Sequence, residues 1–412
     1  MTTYADAELP QFFPGTVNTA AGARALFADA RASATLGRGA FGPIAIHHHD
    51  VIELLRDKRL RGPGMDFARL SGIPEGSRAW KRQEQILLFM EGDDHHRLRR
   101  LVSKAFTPRA VESLRPTTRA TIAGLLDAVI DAGACDAVPA LCEPFPIPVI
   151  CALVGIEPDR VADMSRWATS ILLSLRLDAG AYLAEIEQAQ AELDEYLDGL
   201  IDERRASPRD DLLSNLILAE EAGDRLSRSE LQSVVAMLLV AGTDTTRNQL
   251  SNMIHTFAEH PDQWALLRER PDLVPKAVEE AIRWEPATEA LPRVATETLE
   301  IGGYQVEAGS IVVLMSMSAN HDTAVMADAD VFDIARQTPA GWHLLTFGGG
   351  IHYCLGASLA RLELTEALAE LSSRLPTLRL AGDAVMNPPG SVIAGYTTLP
   401  IAWADARLTV AD

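Results

Sequence analysis

Phe347-Gly348-Gly349-Gly350-Ile351-His352-Tyr353-Cys354-Leu355-Gly356-Ala357 leads straight into a helical pattern near Leu355–Leu375. Three consecutive glycines let the backbone adopt conformations closed to other residues and approach a flat ligand closely. Cys354 then stands at a helix N-terminus, where unpaired N–H groups and the dipole favour an anion. A thiol there is expected to lose its proton more readily than the free value of about 8.5, and a thiolate is a strong soft-metal ligand. Gly356 keeps the helix start slim enough for a large planar group. A phosphate-cradling loop also enters a helix through glycines, but the Gly-Lys-Ser/Thr ending and the GxGxxG spacing are absent. Zinc would need further ligands, and only His352 lies nearby. A buried structural cysteine after a flexible turn is the remaining alternative, and composition by itself favours it.

Outward from this stretch, 412 residues with 47% hydrophobic and 23% charged are enough for a large globular fold. A formal charge of −20 disfavours nucleic-acid partners, whose phosphates such a surface repels. Apolar runs such as Val234–Ala241 fall far short of the ~20 residues a membrane span needs. Met1–Pro10 carries two acids and no Lys or Arg, unlike a signal peptide. Four cysteines (Cys135, Cys142, Cys151, Cys354) make no disulfide framework in so long a chain. The expectation is a soluble, cytoplasmic protein.

Residues 10–60 predict a short helix, a hairpin at Gly42–Ile46 and a helix over Val51–Asp57 with Asp50 as N-cap. Arg61–Gly76, punctuated by Gly and Pro, reads as a loop with a short helix. From Asp94 to Arg283 apolar residues recur at three and four, with breaks at Pro116, Pro144–Pro148, Pro158, Pro208 and Gly223. Leu299–Ile301, a Gly302-Gly303 turn and Ile311–Met315 predict a small sheet, and Thr397–Trp403 is strand-like. The prediction is one mainly α domain, residues 1–412, with small β-sheets.

Phe347, Gly348, Gly350, His352, Cys354 and Gly356 reproduce Phe-Gly-x-Gly-x-His-x-Cys-x-Gly. In this the chain resembles the bacterial cytochromes P-450, the haem-thiolate monooxygenases. Glu280-Ala281-Ile282-Arg283 is similar to the family's Glu-x-x-Arg pair, and Ala241-Gly242-Thr243-Asp244-Thr245-Thr246 to its oxygen-activating helix segment. Asp94–Arg100 resembles the haem-contacting helix, and Leu291–Thr296 the strand after Glu-x-x-Arg. The motifs come in family order across nearly the whole chain. The resemblance implies a triangular helical prism enclosing haem b, with Cys354 as axial iron ligand. Thiolate donation favours O–O cleavage.

The resemblance also assigns the remaining site residues. His95, Arg99, Arg293 and His352 are implied at the haem propionates. His95 and Arg99 are spaced i,i+4 and so share a helical face, and arginine suits a carboxylate through its fork. Phe347, Gly348 and Ala241 are implied against the haem. Thr245 is implied beside dioxygen, with Asp244 relaying protons from solvent. Gly242 and the threonines after it are poor helix-interior chemistry and predict a local bulge. Glu280 and Arg283 are implied to be buried and structural, tying their helix to the meander Phe332–Arg336 and His343. His96 stands where threonine is usual, and His321 where arginine is usual. Cys135, Cys142 and Cys151 read as core. His47-His48-His49 read as adjacent strand residues that cannot converge on a metal.

The implied activity is hydroxylation or epoxidation of a medium-sized, mostly apolar molecule with O2. Electrons would come from a separate ferredoxin or flavodoxin and an NAD(P)H-dependent reductase. Substrate walls are implied at Gly62–Met90, Met164–Ala184, Ala287–Leu291 and Val392–Tyr396. A peroxide-using or non-oxidative member, a haem-binding sensor and a haem-free helical protein are the rivals; intact Asp244-Thr245 argues against the first of these. Arg97, Arg100 and Lys104 are expected to form a basic docking face for an acidic electron donor. Glu289 shares a strand face with Leu291 and Arg293. It is therefore expected to pair with a cation, to turn to solvent, or to meet a donor on the substrate.

Overall fold

A computed structural model describes residues 2–12, 19–221, 224–388 and 391–403. Its axis is the 32-residue helix Arg228–Glu259, about 48 Å long at 1.5 Å per residue. The helix starts on a capping box, with Ser227 and Glu230 each accepting from the other's backbone N–H. Its first half, Leu231–Val240, packs into a cluster with Leu98, Leu101, Ile150, Trp167 and Leu193. Its second half, Leu250–Ala258, packs into another cluster with Ile122, Leu126, Phe145, Ala277 and Ile282. The helix Ala357–Arg374 is divided in the same way, with Leu359 and Leu362 in the first cluster and Leu364–Leu371 in the second. The seam between the clusters therefore crosses residues 241–249 and the start of the helix that follows Cys354.

The largest sheet has six short strands in the order Gln11–Phe12, Leu36–Gly39, Pro43–Ala45, Ile311–Leu314, Leu291–Ala295, Leu60–Arg61. Leu291–Ala295 runs antiparallel to Ile311–Leu314, with Leu291 opposite Leu314 and Arg293 opposite Val312. The Gly302-Gly303 turn joins Leu299–Ile301 to Tyr304–Val306, with φ of 56° and 86° at the two glycines. Helices dominate from Gly92–Ala105 to Val274–Trp284, as predicted, and a helix Met65–Leu70 lies in the Gly/Pro-rich loop. The predicted break at Gly223 lies outside the described residues. Pro116 opens the helix Arg115–Val129 rather than breaking one, since its missing N–H is no loss in a first turn.

Two local expectations are corrected. Asp50 lies inside the helix His48–Leu54, whose N-cap is His47. His48 and His49 thus open a helix, and His47 and His48 are spent on structure. His47 Nε2 meets the Ala34 carbonyl at 2.9 Å, and His48 Nε2 meets that of His343 at 2.9 Å. Asp322 accepts from the N–H of His48 and of Ala324, both at 3.0 Å, with the His47 ring 3.6 Å away. Burial raises the Asp322 carboxyl, but these donors outweigh it and bring it down to about 2. An aspartate held below its unfolded value of ~3.9 stabilises the fold above that pH and loses its contribution as pH falls through the folded value. Asp322→Asn is therefore expected to flatten the acid limb of stability between about pH 4 and 2. Denaturant titrations across that range check it, and an acid limb identical to wild type would refute it.

Candidate active site

The cysteine loop is shaped by its glycines. Gly348 and Gly350 hold φ of 70° and 64°, and a Cβ on Gly350 would stand 2.5 Å from the Leu55 carbonyl oxygen. The Cys354 N–H donates to Phe347 O at 2.9 Å and closes the loop. Phe347 is fixed by Arg361, whose guanidinium lies 4.4 Å over its ring. Cys354 is exposed, whereas Cys135, Cys142 and Cys151 are buried, in keeping with their core reading. The residue is accessible, yet its thiol is hemmed in as in a recess: burial pushes it up, against the Gly356 N–H, Arg99 and Arg361. This corrects the expected ease of ionisation. Gly356 is the N-cap, so Cys354 stands two residues ahead of the cap, where desolvation exceeds the dipole. A coordinated metal ion would ionise the thiol outright.

Basic side chains border the recess. His95 is buried in the helix Gly92–Ala105, and neither of its ring nitrogens has a partner. Burial, then His352 and Arg99, lower it to about 4. Its ring lies 4.6 Å from that of His352, which meets Glu91 Oε1 at 2.9 Å. Arg99 donates to Tyr353 O at 2.5 Å, and buried Arg293 to Pro292 O at 2.9 Å. Among the described residues neither arginine has a carboxylate partner. Buried Arg293 with a single backbone acceptor and an orphaned buried histidine are costly without a further partner. The set fits a ligand that brings its own carboxylates, as haem brings its propionates. Glu91, which orients His352 and accepts from the Gly62 N–H, was not found by sequence reasoning.

The long helix carries the other functional candidates. Between Leu238 and Ala258 its residues are buried except Ala241, Gly242, Thr243, Thr245 and Arg247. Ala241 is exposed and Thr245 half-buried, one turn apart, so the central helix opens along this stripe. The expected bulge is absent. The helix runs unbroken because Thr243 donates to Leu239 O and Thr245 to Ala241 O, at 2.6 Å for the latter, without displacing the ladder. Gly242 is needed for packing instead: a Cβ there would meet Ile150 Cδ1 at 2.5 Å. Asp244 is buried, accepting from Arg247 at 2.8 Å and Asn248 at 3.1 Å. Burial raises its carboxyl in spite of Arg247.

Thr246 donates to Glu363 Oε2 at 3.1 Å, joining the long helix to the one after Cys354. Glu363 is buried, its other oxygen has no partner, and burial raises its carboxyl to about 8 in spite of Thr246. Sequence reasoning missed Glu363, although a carboxylate in register with Leu359 and Leu362 was a signal. The loops predicted as substrate walls do meet: Gly180 N–H donates to Ser71 O at 2.9 Å. The expected docking face changes. Arg97 is committed within the chain to Asp224 and Glu230, and Arg100 and Lys104 have partners too.

The Cytochrome P450 family model matches residues 160–375. The chain is 40% identical to nocardicin C N-oxygenase of Nocardia uniformis subsp. tsuyamanensis over 87% of its length and 89% of that protein. It is 37% identical to mycinamicin IV hydroxylase/epoxidase of Micromonospora griseorubida, over 87% and 89% respectively. Among solved structures it is similar to cytochrome P450 CYP109Q5 from Chondromyces apiculatus, with a TM-score of 0.86 and 30% identity, covering 97% of this chain and 100% of that one. No helix of the described residues is long and apolar enough to cross a membrane. A sulfur recess bordered by Arg99, Arg293 and an unpartnered His95, on a fold shared end to end with these proteins, leads to one assignment: the chain belongs to the cytochrome P450 family of haem-thiolate monooxygenases.

Proposed function

We propose that this monooxygenase hydroxylates or epoxidises a medium-sized, mostly apolar small molecule. In this reading it is a single domain, residues 1–412, working in the cytoplasm with a separate ferredoxin or flavodoxin and an NAD(P)H-dependent reductase. The carrying observation is unpartnered His95 together with Arg99 and Arg293, two arginines without a carboxylate bridge, beside accessible Cys354. Exposed Leu88, Leu177 and Val392 on the predicted wall segments support an apolar substrate. So do relatives named for N-oxygenation and for hydroxylation and epoxidation of small molecules.

In this reading Cys354 ligates the iron, while His95, Arg99, Arg293 and His352 hold the propionates. Phe347, Gly348 and Ala241 lie against the ring. Bound haem supplies the redox chemistry that splits dioxygen and oxidises an unactivated C–H bond or alkene. The chain supplies position and protons. The Thr245 hydroxyl is anchored by its bond to Ala241 O, leaving its oxygen free to accept a proton donor from the recess. Asp244 lies one residue before it, buried but linked through Arg247 to the half-exposed rim. Its raised carboxyl takes up a proton more readily than an exposed aspartate. The pair would thus pass protons inward while Ala241 and the apolar walls exclude bulk water.

Thr245→Ala tests this. The variant is expected to bind haem and substrate normally, yet to lose most of its product per NADH and release hydrogen peroxide instead. Unchanged coupling would remove Thr245 from proton delivery.

A further inference from the structure

Glu289 lies midway along a segment that bridges the two walls of the recess. At the start of the segment, Gln249 donates to Glu285 O at 3.0 Å and accepts from the Ala287 N–H at 2.9 Å, one turn beyond Thr245. At its end, Leu291 Cδ1 lies 3.9 Å from where a Cβ on Gly348 would stand. Between these points the backbone is held from behind: Ser316 Oγ donates to Thr288 O at 2.8 Å and Met317 N to Glu289 O at 3.1 Å. Alternation puts Leu291 and Arg293 on the face toward the cysteine loop and leaves Pro292 exposed on the other. Glu289 continues the inner face.

Two of the three expected fates of Glu289 do not occur. Its carboxylate has no hydrogen-bond or ion-pair partner among the described residues, and Arg293 donates to Pro292 O instead. Nor is it turned fully out to solvent, being only part-exposed. Burial, then Glu285, push its carboxyl up to about 7. Its remaining accessible surface leaves the carboxylate open to a partner from outside the packed chain.

We infer that Glu289 is a specificity-determining residue of the substrate chamber, accepting from a cationic or hydroxyl group at one end of an otherwise apolar substrate. This rests on the monooxygenase reading of the recess and names what its substrate must carry. A buried carboxylate without a donor is costly, so a substrate that supplies one is preferred and a carboxylate substrate is repelled.

The test is a spectral titration of the haem-loaded protein, following the ligand-induced Soret shift. The ligands are n-decane, 1-decanol, n-decyltrimethylammonium and decanoate, and the quaternary cation cannot itself ligate iron. Wild type is expected to bind the cation about tenfold or more tightly than decanoate, because the quaternary ammonium pairs with the carboxylate by charge alone, without a hydrogen bond, while decanoate is repelled. Glu289→Gln should remove that preference and leave decane unchanged, and Glu289→Asp should retain most of it. Equal binding of cation and decanoate by wild type, or a preference that survives in Glu289→Gln, overturns the inference. A red-shifted Soret band in the reduced, CO-bound wild type verifies the haem reading separately. Its absence would overturn that reading, and the chamber with it.

Discussion

Cys354→His protein is expected to lose the red-shifted Soret band of the reduced, CO-bound state and, with it, product formation. Imidazole is a neutral donor and does not push electron density as a thiolate does, so a variant that still binds haem should do so without the oxidative chemistry. The loop explains why no other cysteine substitutes. Cys135 and Cys142 are buried beside the C-terminal half of the long helix, and Cys151 beside the N-terminal half, with burial raising all three thiols. Cys354 alone among them is accessible. Cys151→Ala serves as the control and should keep the band. A Cys354→His protein that retains it would mean that another residue ligates the iron.

What could be read from the sequence was short-range. The Gly348–Gly350 loop, the Gly302-Gly303 turn, the i,i+3 pair Glu280–Arg283 and the helical periodicity of Leu231–Val240 are each set by neighbours within about one turn, and each stands as read. The cation set was found only through the family resemblance, because His95, Arg293 and His352 are far apart in sequence and periodicity alone makes His95 and Arg99 an ordinary solvated face. Glu91 and Glu363 were missed for the same reason: their partners His352 and Thr246 lie 261 and 117 residues away.

The misreadings share a different cause, in which a local rule met a stronger term. Threonines bonding to i−4 carbonyls predicted a bulge, but the bonds formed within an uninterrupted helix. A helix N-terminus predicted an acidified Cys354, but two residues of offset and a recess gave desolvation the larger share. Surface arginine spacing did not foresee that Arg97 pairs with Asp224 and Glu230, on elements the spacing could not bring to it.

Arg283→Lys is expected to destabilise the folded protein by about 3–5 kcal/mol and to leave most of it without haem, the largest stability effect expected of any single change outside the loop. All five guanidinium N–H groups are used. Nε and Nη2 grip the two oxygens of Glu280 at 2.7 Å, and the remaining protons reach Asn320 O at 3.2 Å, Ala329 O at 2.7 Å and Val331 O at 3.1 Å. Lysine offers three donors from one point and cannot span this set, so buried carbonyls and Glu280 would be left without partners. The damage reaches the cysteine loop through Asn320. Its side chain donates to Thr346 Oγ1 at 3.0 Å and accepts from the Leu345 N–H at 3.0 Å, directly ahead of Phe347. Glu280 also accepts from Arg336 and from the Asp333 N–H, so the pair pins the meander from both sides. Urea unfolding gives the stability, and the ratio of Soret to protein absorbance gives haem occupancy. If Arg283→Lys proves too unstable to purify, Glu280→Gln carries the test. Its amide can still accept at one oxygen, but at the other position it turns an N–H toward Arg283 Nε, so a smaller loss in the same direction is expected. A Glu280→Gln protein with wild-type midpoint and full haem would show that the backbone of the meander holds the loop without the ion pair.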